Sequence, residues 1–523
     1  MENIAIILVV LSIATVLSVI ANRLLVPYPI LLVLVGLGLG FIPGLPRVRL
    51  APDTVFLVFL PPILYAAAWY TSWREFKANL RPISLLAVGL VLTTTTAVAI
   101  VAHELVSGMS WAVAFVLGAI VSPPDAVAAT AITQRLNVPK RVITILEGES
   151  LVNDATGLVA YKFAVAAVVS GAFSIWEAGV QFVVVAAGGV AVGLAGGVAL
   201  SLVHRRLYNS PAVETTLTLL TPFSMYLLAE SIHVSGVLAV VTTGLYLTNR
   251  SAELFSPAAR LQAYSVWNIF VFLLNGFIFI IIGLQLPDVL NGASSEPLGT
   301  LLLDTAIICL TVILIRIVWV FPATYIPRWI LKEPRLEWKF PALVSWSGMR
   351  GIVTLAAALA LPIAMTDGSP FPKRDFIIFV SFAVILSTLV IQGLSLPFII
   401  RWLGFDEENT EQIEELYARR KAAEAAIAYI EELAASGTIT NEIVSRLRTK
   451  YDDRLAQLTS SPLMPFKPTG DHLTFQQLQH AVLTRERQTA IELRKQGDIS
   501  DEVLRRIEYE LDLEESRLMG KAD

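Results

Sequence analysis

The chain has 523 residues, 55% of them hydrophobic and 16% charged, with a mean hydropathy of +0.67. Soluble domains carry about a quarter charged residues, so an ordinary water-soluble enzyme is excluded and a largely lipid-embedded chain is expected. The net charge of −4 averages two unlike parts: residues 1–401 hold 19 acidic and 23 basic side chains, residues 402–523 hold 24 and 16, so the solvent changes near Arg401.

Thirteen apolar runs reach or approach the roughly 20 residues that a membrane-crossing helix needs. They fall at about 4–21, 28–45, 53–70, 82–102, 111–130, 142–170, 178–203, 212–231, 234–249, 262–284, 300–321, 341–364 and 375–400. The first lacks a basic leader and a small-residue cleavage motif, so it reads as a spanning helix and not as a removed signal. Cys309, the only cysteine, lies in the eleventh run as a small apolar residue. No internal disulfide and no cysteine metal cluster can form. The odd-numbered connections collect fifteen basic residues, from Arg23 to Lys339; the even-numbered ones hold four, Arg47, Arg49, Lys373 and Arg374. Cytoplasmic loops carry such an excess, which places the amino terminus outside and the tail in the cytoplasm, in agreement with an odd number of spans.

Two runs break the rules of a lipid-exposed helix. The fifth, GAIVSPPDAVAAT, carries Pro123 and Pro124 in mid-span followed by Asp125; the twelfth, SWSGMRGIVTLAAALALP, carries Gly348, Arg350 and Gly351 at a corresponding place. Prolines strip backbone donors and strand the carbonyls upstream, which is tolerable only inside protein or beside a polar cavity. If spans 1–6 and 8–13 are inverted repeats, the two breaks are counterparts, the best pointer in a sequence to a transporter's ion site. At 1.5 Å per residue, Asp125 lies about 13 Å from the cytoplasmic end of its span, Glu149 about 12 Å, Asp154 about 20 Å, Arg316 about 9 Å and Arg350 about 13 Å. Five ionisable groups therefore share one slab, where each alone would cost several kcal/mol.

Within the sixth span, Glu149–Asn153 and Ser150–Asp154 are i,i+4 pairs on adjacent stripes of one helix. Glu149 lies at a depth that suits an arginine partner; Asp154 is deeper and has no evident cation. Asp154, Ser150 and the carbonyls freed by the proline pair offer the oxygens a hard monovalent cation wants. A carboxylate that holds a proton or a cation, never both, is the core of an exchanger.

The stretches FLPPILYAAAW (59–69), GAIVSPPDAVAATAI (118–132), LEGESLVNDATGLVAY (146–161), Arg316 and GMRGIVTLAAALALP (348–362), taken in this order, cover nearly all of residues 1–401. On them the chain resembles a bacterial monovalent cation/proton antiporter of the sodium/proton exchanger family (cation:proton antiporter 1, NhaP/NHE-like). The resemblance implies an all-α polytopic membrane protein of about 13 transmembrane helices with inverted-topology repeats and two broken crossing helices. It also implies a homodimer in the plasma membrane. A core of spans about 82–170 and 300–400 would move against a dimerising scaffold. By the same resemblance, Asp154 binds cation and proton alternately. Ser150 matches a hydroxyl ligand for the ion and Asp125 the aspartate at the unwound crossing. Asn153, where electrogenic relatives carry a second aspartate, accompanies one-for-one exchange. Glu149 and Arg316 match a buried salt bridge, and Arg350 a second essential arginine at the break. Relatives often carry Thr-Asp-Pro or Val-Asp-Pro where this chain has Pro123-Pro124-Asp125, so a threonine ligand just before Asp125 is missing.

Plainer readings stand beside these. Glu149 and Arg316 read more simply as a purely structural pair, Asp125 as an orienter of helix ends, and Asn153 as a hydrogen bonder across helices. Thr93–Thr96 read as intramembrane backbone bonding, His103, His204 and His233 as interfacial residues, and Asn268, Asn275 and Gln392 as packing. The transported ions expected are Na+ (or Li+ or K+) and H+, with no cofactor, no nucleic acid and no organic substrate. A potassium/proton antiporter, an ion channel and a sodium-coupled solute symporter are the competing classes. An intramembrane enzyme fits least, since no nucleophile–base pair or metal triad is evident. The 402–523 tail reads as a soluble helical domain, with amphipathic helices at 409–437, stopped by Gly437, and 502–518. Residues 460–471, SSPLMPFKPTGD, read as a linker.

Overall fold

The structure is a computed structural model and describes residues 2–24, 28–42, 55–133, 136, 138–171, 175–207, 210–285, 297–334, 336–365, 368–405, 410–436, 440–459 and 472–519. Gly437, the 460–471 linker and the basic residues Arg47, Arg49, Arg135 and Arg335 lie outside them. Two compact units divide the chain: Met1–Val203, Thr216–Arg250 and Val266–Asp406 form the first; His204–Thr215, Ser251–Ser265 and Glu407–Asp523 form the second.

Sixteen principal helices carry the described chain up to Leu403. In chain order they are α1 (Glu2–Leu24), α2 (Tyr28–Gly40), α3 (Leu60–Tyr70), α4 (Val91–Leu105), α5 (Trp111–Val121), α6 (Ala126–Thr133), α7 (Lys140–Ser170), α8 (Ile175–Arg206), α9 (Pro211–Ser231), α10 (Gly236–Thr248), α11 (Pro257–Leu284), α12 (Leu298–Ile330), α13 (Lys339–Trp346), α14 (Ile352–Leu359), α15 (Arg374–Ser387) and α16 (Gly393–Leu403). Local chemistry sets many of the ends. Ser110 and Ser235 accept the first free N–H groups of α5 and α10, at 3.4 and 3.2 Å, the usual duty of an N-cap serine. Gly171, at φ +70°, closes α7 in the left-handed region that glycine tolerates best. π-Helical turns at Leu85–Leu90 and Thr388–Gln392 rephase the side chains entering α4 and α16.

Seven helical segments among the described residues are long and apolar enough to cross a membrane: 80–105, 111–133, 140–170, 179–206, 257–284, 299–330 and 374–403. Shorter apolar helices cover 8–21, 28–40, 56–70 and 236–248. The protein is thus an all-α, multi-pass membrane protein. The 111–133 segment is the most enclosed of the seven, with 72% of its apolar window buried, and 179–206 the least, with 17%. One edge of α8 nevertheless packs tightly: a Cβ at Gly193 would strike the Ala239 carbonyl of α10, and Thr243 donates to the Gly193 carbonyl at 2.9 Å. Small residues let membrane helices approach in this way.

In the second unit the tail forms four helices, α17 (Thr410–Ala435), α18 (Asn441–Thr459), α19 (His472–Gln496) and α20 (Asp501–Met519). The first and last lie where the sequence suggests helices; α18 and α19 lie outside those two stretches. Ala418, Leu483, Ile499, Val503, Ile507 and Leu511 form one apolar core, and Ala423, Ile430, Leu447, Tyr451 and Val482 another.

Candidate functional site

The fifth run is helical to Val121, loses helicity at Ser122–Asp125 and resumes at Ala126. The twelfth does the same between Trp346 and Ile352. Each break leaves one helix end showing carbonyls and another showing N–H groups, with partial negative and positive charge respectively. The two breaks meet, the Asp125 N–H donating to the Met349 carbonyl at 2.7 Å.

Oppositely charged side chains answer the exposed ends. Arg350, fully buried, donates to the carbonyls of Val121 (3.1 Å) and Ser122 (3.4 Å) and also to that of Gly348. Its own N–H donates to Thr388 Oγ1 at 3.1 Å. Asp125 accepts from the Val127 N–H at 2.8 Å and from that of Ile352, so its carboxylate caps the starts of both α6 and α14. A Cβ at Gly351 would collide with that carboxylate.

The 31-residue α7 passes beside the breaks and supplies the remaining groups. Glu149 and Arg316 form a two-pronged pair, Nη1–Oε1 at 2.5 Å and Nη2–Oε2 at 2.8 Å, with both side chains almost wholly buried. The guanidinium also donates to the Val344 carbonyl from Nε (3.2 Å) and Nη2 (3.0 Å). Ser150 Oγ accepts the Ala126 N–H at 3.3 Å, and Asn153 donates to the Pro124 carbonyl at 2.7 Å. The side-chain oxygen of Asn153, Oδ1, is buried and has no partner among the described residues. Asp154 is 6% exposed, and Asp125 is the charged group that acts on it. No cationic side chain pairs with Asp154 among the described residues.

Asp125, Ser150, Asn153 and Asp154 thus gather around the fifth-run break. Glu149, Arg316 and Arg350 lie close by in the same interior. Several carbonyls around the fifth-run break are met by protein donors: Ser122 Oγ takes Ala119, Arg350 takes Val121 and Ser122, and Asn153 takes Pro124. An unmet buried acceptor costs about 1–3 kcal/mol, and protein donors meet these. Three of the four threonines at 93–96 bond back one turn, as read; Thr94 Oγ1 is buried without a partner among the described residues. Thr388, which anchors Arg350, carried no signal in the sequence, whereas Gly351 stood inside the quoted GMRG stretch.

A buried cluster of carboxylates and arginines at two interrupted helices, on a multi-pass helical fold, is the arrangement of a membrane transporter. A family model described as "Sodium/hydrogen exchanger, transmembrane" matches residues 7–402, and the chain belongs to that family. An uncharacterized Na+/H+ exchanger of Mycobacterium tuberculosis is 38% identical over 519 residues, 97% of this chain and 94% of its own. A sodium, potassium, lithium and rubidium/H+ antiporter of Bacillus pumilus is 37% identical over 439 residues, 79% of this chain and 64% of its own. The solved sodium proton antiporter MjNhaP1 of Methanocaldococcus jannaschii has a similar fold, with a TM-score of 0.60, 21% identity, and coverage of 75% of this chain and 99% of the other. The protein is a secondary active transporter, not an enzyme, and exchanges sodium or a related monovalent cation for protons across a membrane.

Proposed function

We propose that Asp154 is the exchange group and that the protein moves one sodium ion against one proton, without net charge transfer, by alternating access. The observation that carries this reading is the contrast between two buried carboxylates on one helix. Glu149 is neutralised by Arg316; Asp154, on the same helix, pairs with no cationic side chain among the described residues. Sodium or a proton on Asp154 leaves the site close to neutral while it crosses hydrocarbon, which keeps the barrier low. Ser150 and Asp125 complete the ion's oxygen set. Asn153, a neutral amide bonded to Pro124, adds no second titrating site, so voltage does no net work on the cycle.

The same reading has thirteen spans with the amino terminus outside, the tail in the cytoplasm and the plasma membrane as location. Spans about 82–170 and 300–400 form the moving core around the crossed, broken helices. The other spans form a scaffold that pairs two copies; the exposed apolar flank of α8 supports that part. The test is dissipation of a pH gradient in proteoliposomes by sodium, lithium and potassium, with and without a clamped voltage. Asp154→Asn should abolish exchange while the protein remains folded; pH-driven sodium flux retained by that variant would sink the reading. A rate that follows the voltage would overturn one-for-one exchange alone.

A further inference from the structure

Three arginines that the exchange chemistry leaves unused converge on one crevice of the first unit. Arg81 stands just before the π-helical turn that leads into α4, Arg141 in the first turn of α7 and Arg328 in the last turn of α12. Three separate elements therefore each deliver one guanidinium to the same mouth. The acid that answers them is Glu333, 2.7 Å from Arg81. Arg328 donates to the Pro334 carbonyl at 3.0 Å, and Arg141 has no ion-pair partner among the described residues. The neighbouring Lys140 is held by Glu75 at 3.3 Å and adds nothing to the surplus.

Behind the guanidiniums the walls turn apolar: Leu85, Ile145, Val320, Ala323, Phe340 and Val344 line the crevice. Trp329, next to the crevice residue Arg328 in the chain, and Trp338, two residues before the crevice residue Phe340, are 81% and 51% exposed. Exposed tryptophans mark the level of lipid headgroups on membrane helices, so the arginines lie at headgroup depth and the apolar walls lead into the bilayer. A soluble anion would satisfy the arginines and leave the walls wet. An uncharged apolar guest would leave the surplus charge unanswered. Basic pockets between spanning helices at this depth suit lipid phosphates.

We propose that this crevice is a binding site for one anionic phospholipid, its phosphate held by Arg141 and Arg328 and the first methylenes of an acyl chain lying along Leu85, Val320 and Val344. The site rests on the span assignment proposed above, which puts it in the cytoplasmic leaflet. It touches the exchange machinery from one side, since the Val344 carbonyl accepts two of the hydrogen bonds of Arg316.

Native mass spectrometry of the purified full-length protein, titrated with phosphatidylglycerol or phosphatidylcholine, tests it. The wild-type protein should retain one phosphatidylglycerol at about tenfold lower concentration than phosphatidylcholine. Arg141→Gln, at an exposed position with no ion pair to lose, and Arg141→Gln/Arg328→Gln should erase that preference stepwise. Arg205→Gln/Arg206→Gln, which changes two exposed arginines that do not line the crevice, should keep it. Equal retention of the two lipids, or equal loss in the control pair, would overturn the proposal. Displacement of the lipid by millimolar inorganic phosphate would reassign the site to a soluble anion and overturn it as well. The readout is binding, so it is decided separately from whether Asp154 carries the exchange.

Discussion

At the scale of single residues, the site depends as much on what is missing from Gly351 as on what Asp125 carries. The Asp125 carboxylate lies where a Cβ on residue 351 would be, which lets it reach the N–H groups at the starts of two helices at once. The charged residues of this site were legible in the sequence because a charge inside an apolar run is conspicuous. The roles of Gly351 and Thr388 were not, since a glycine beside an arginine and a threonine in an apolar helix are both ordinary. Gly351→Ala is expected to push the Asp125 carboxylate off the helix ends, to cost about 1–3 kcal/mol of stability, and to remove most of the exchange rate. Gly38→Ala, in α2 with nothing within 4 Å of the added methyl, is expected to leave exchange intact and to stabilise by no more than about 1 kcal/mol. Thermal unfolding in detergent and gradient dissipation in vesicles measure both variants; equal behaviour of the two would remove the role given to Gly351.

At the scale of elements, four half-helices end inside the protein and each end is closed by a side chain from elsewhere. Where they end was written in the sequence: Pro123–Pro124 in one run and Gly348 with Gly351 in the other. How they are closed was not, because the donors that reach Val121, Ser122 and Pro124 come from Arg350 and Asn153, and local periodicity carries no information about partners so distant in the chain. The Glu149–Arg316 pair ties α7 to α12 in the same interior. Breaking one partner of a buried pair leaves an uncompensated charge and costs about 3–5 kcal/mol, whereas replacing both by apolar groups is often neutral. Glu149→Met and Arg316→Met are therefore each expected to lower the thermal midpoint sharply, and the double variant to recover most of the loss. If the double variant is as unstable as the sum of the singles, the pair is more than a structural tie, and a part in the exchange cycle has to be reconsidered.

At the scale of the whole molecule, the change of composition near Arg401 separates lipid-facing from water-facing sequence, but it does not describe the second unit. That unit also takes in His204–Thr215 and Ser251–Ser265. Arg260, counted above as one of the basic loop residues that set orientation, is 4% exposed and pairs with Asp512 through Nε (2.9 Å) and Nη2 (2.6 Å). A partner 252 residues away cannot be read from a loop's own sequence. Around this pair the unit buries several further carboxylates, and two of them make its stability depend on pH. Burial pushes the Glu486 carboxyl up to about 7 against the opposing pull of Arg454, 3.3 Å away. Burial also raises Glu508, with Arg260, Arg487 and Arg494 opposing and Asp512 reinforcing the shift. For an acid whose folded value is raised, the native state binds more protons than the unfolded one. The stability it contributes is complete below the ordinary carboxylate value and is lost as pH rises through the folded value. The loss for Glu486 therefore falls between about pH 4.5 and 7 and amounts to at most about 3 kcal/mol. Amide hydrogen exchange of the full-length protein, corrected for the intrinsic rate at each pH, should show α19 losing protection across that window. Glu486→Gln should flatten part of the loss and Glu486→Gln/Glu508→Gln more of it, while Glu432→Gln, at an exposed position of α17, should change nothing. A pH profile identical in all of these variants would show that the buried carboxylates do not set the pH response of the tail.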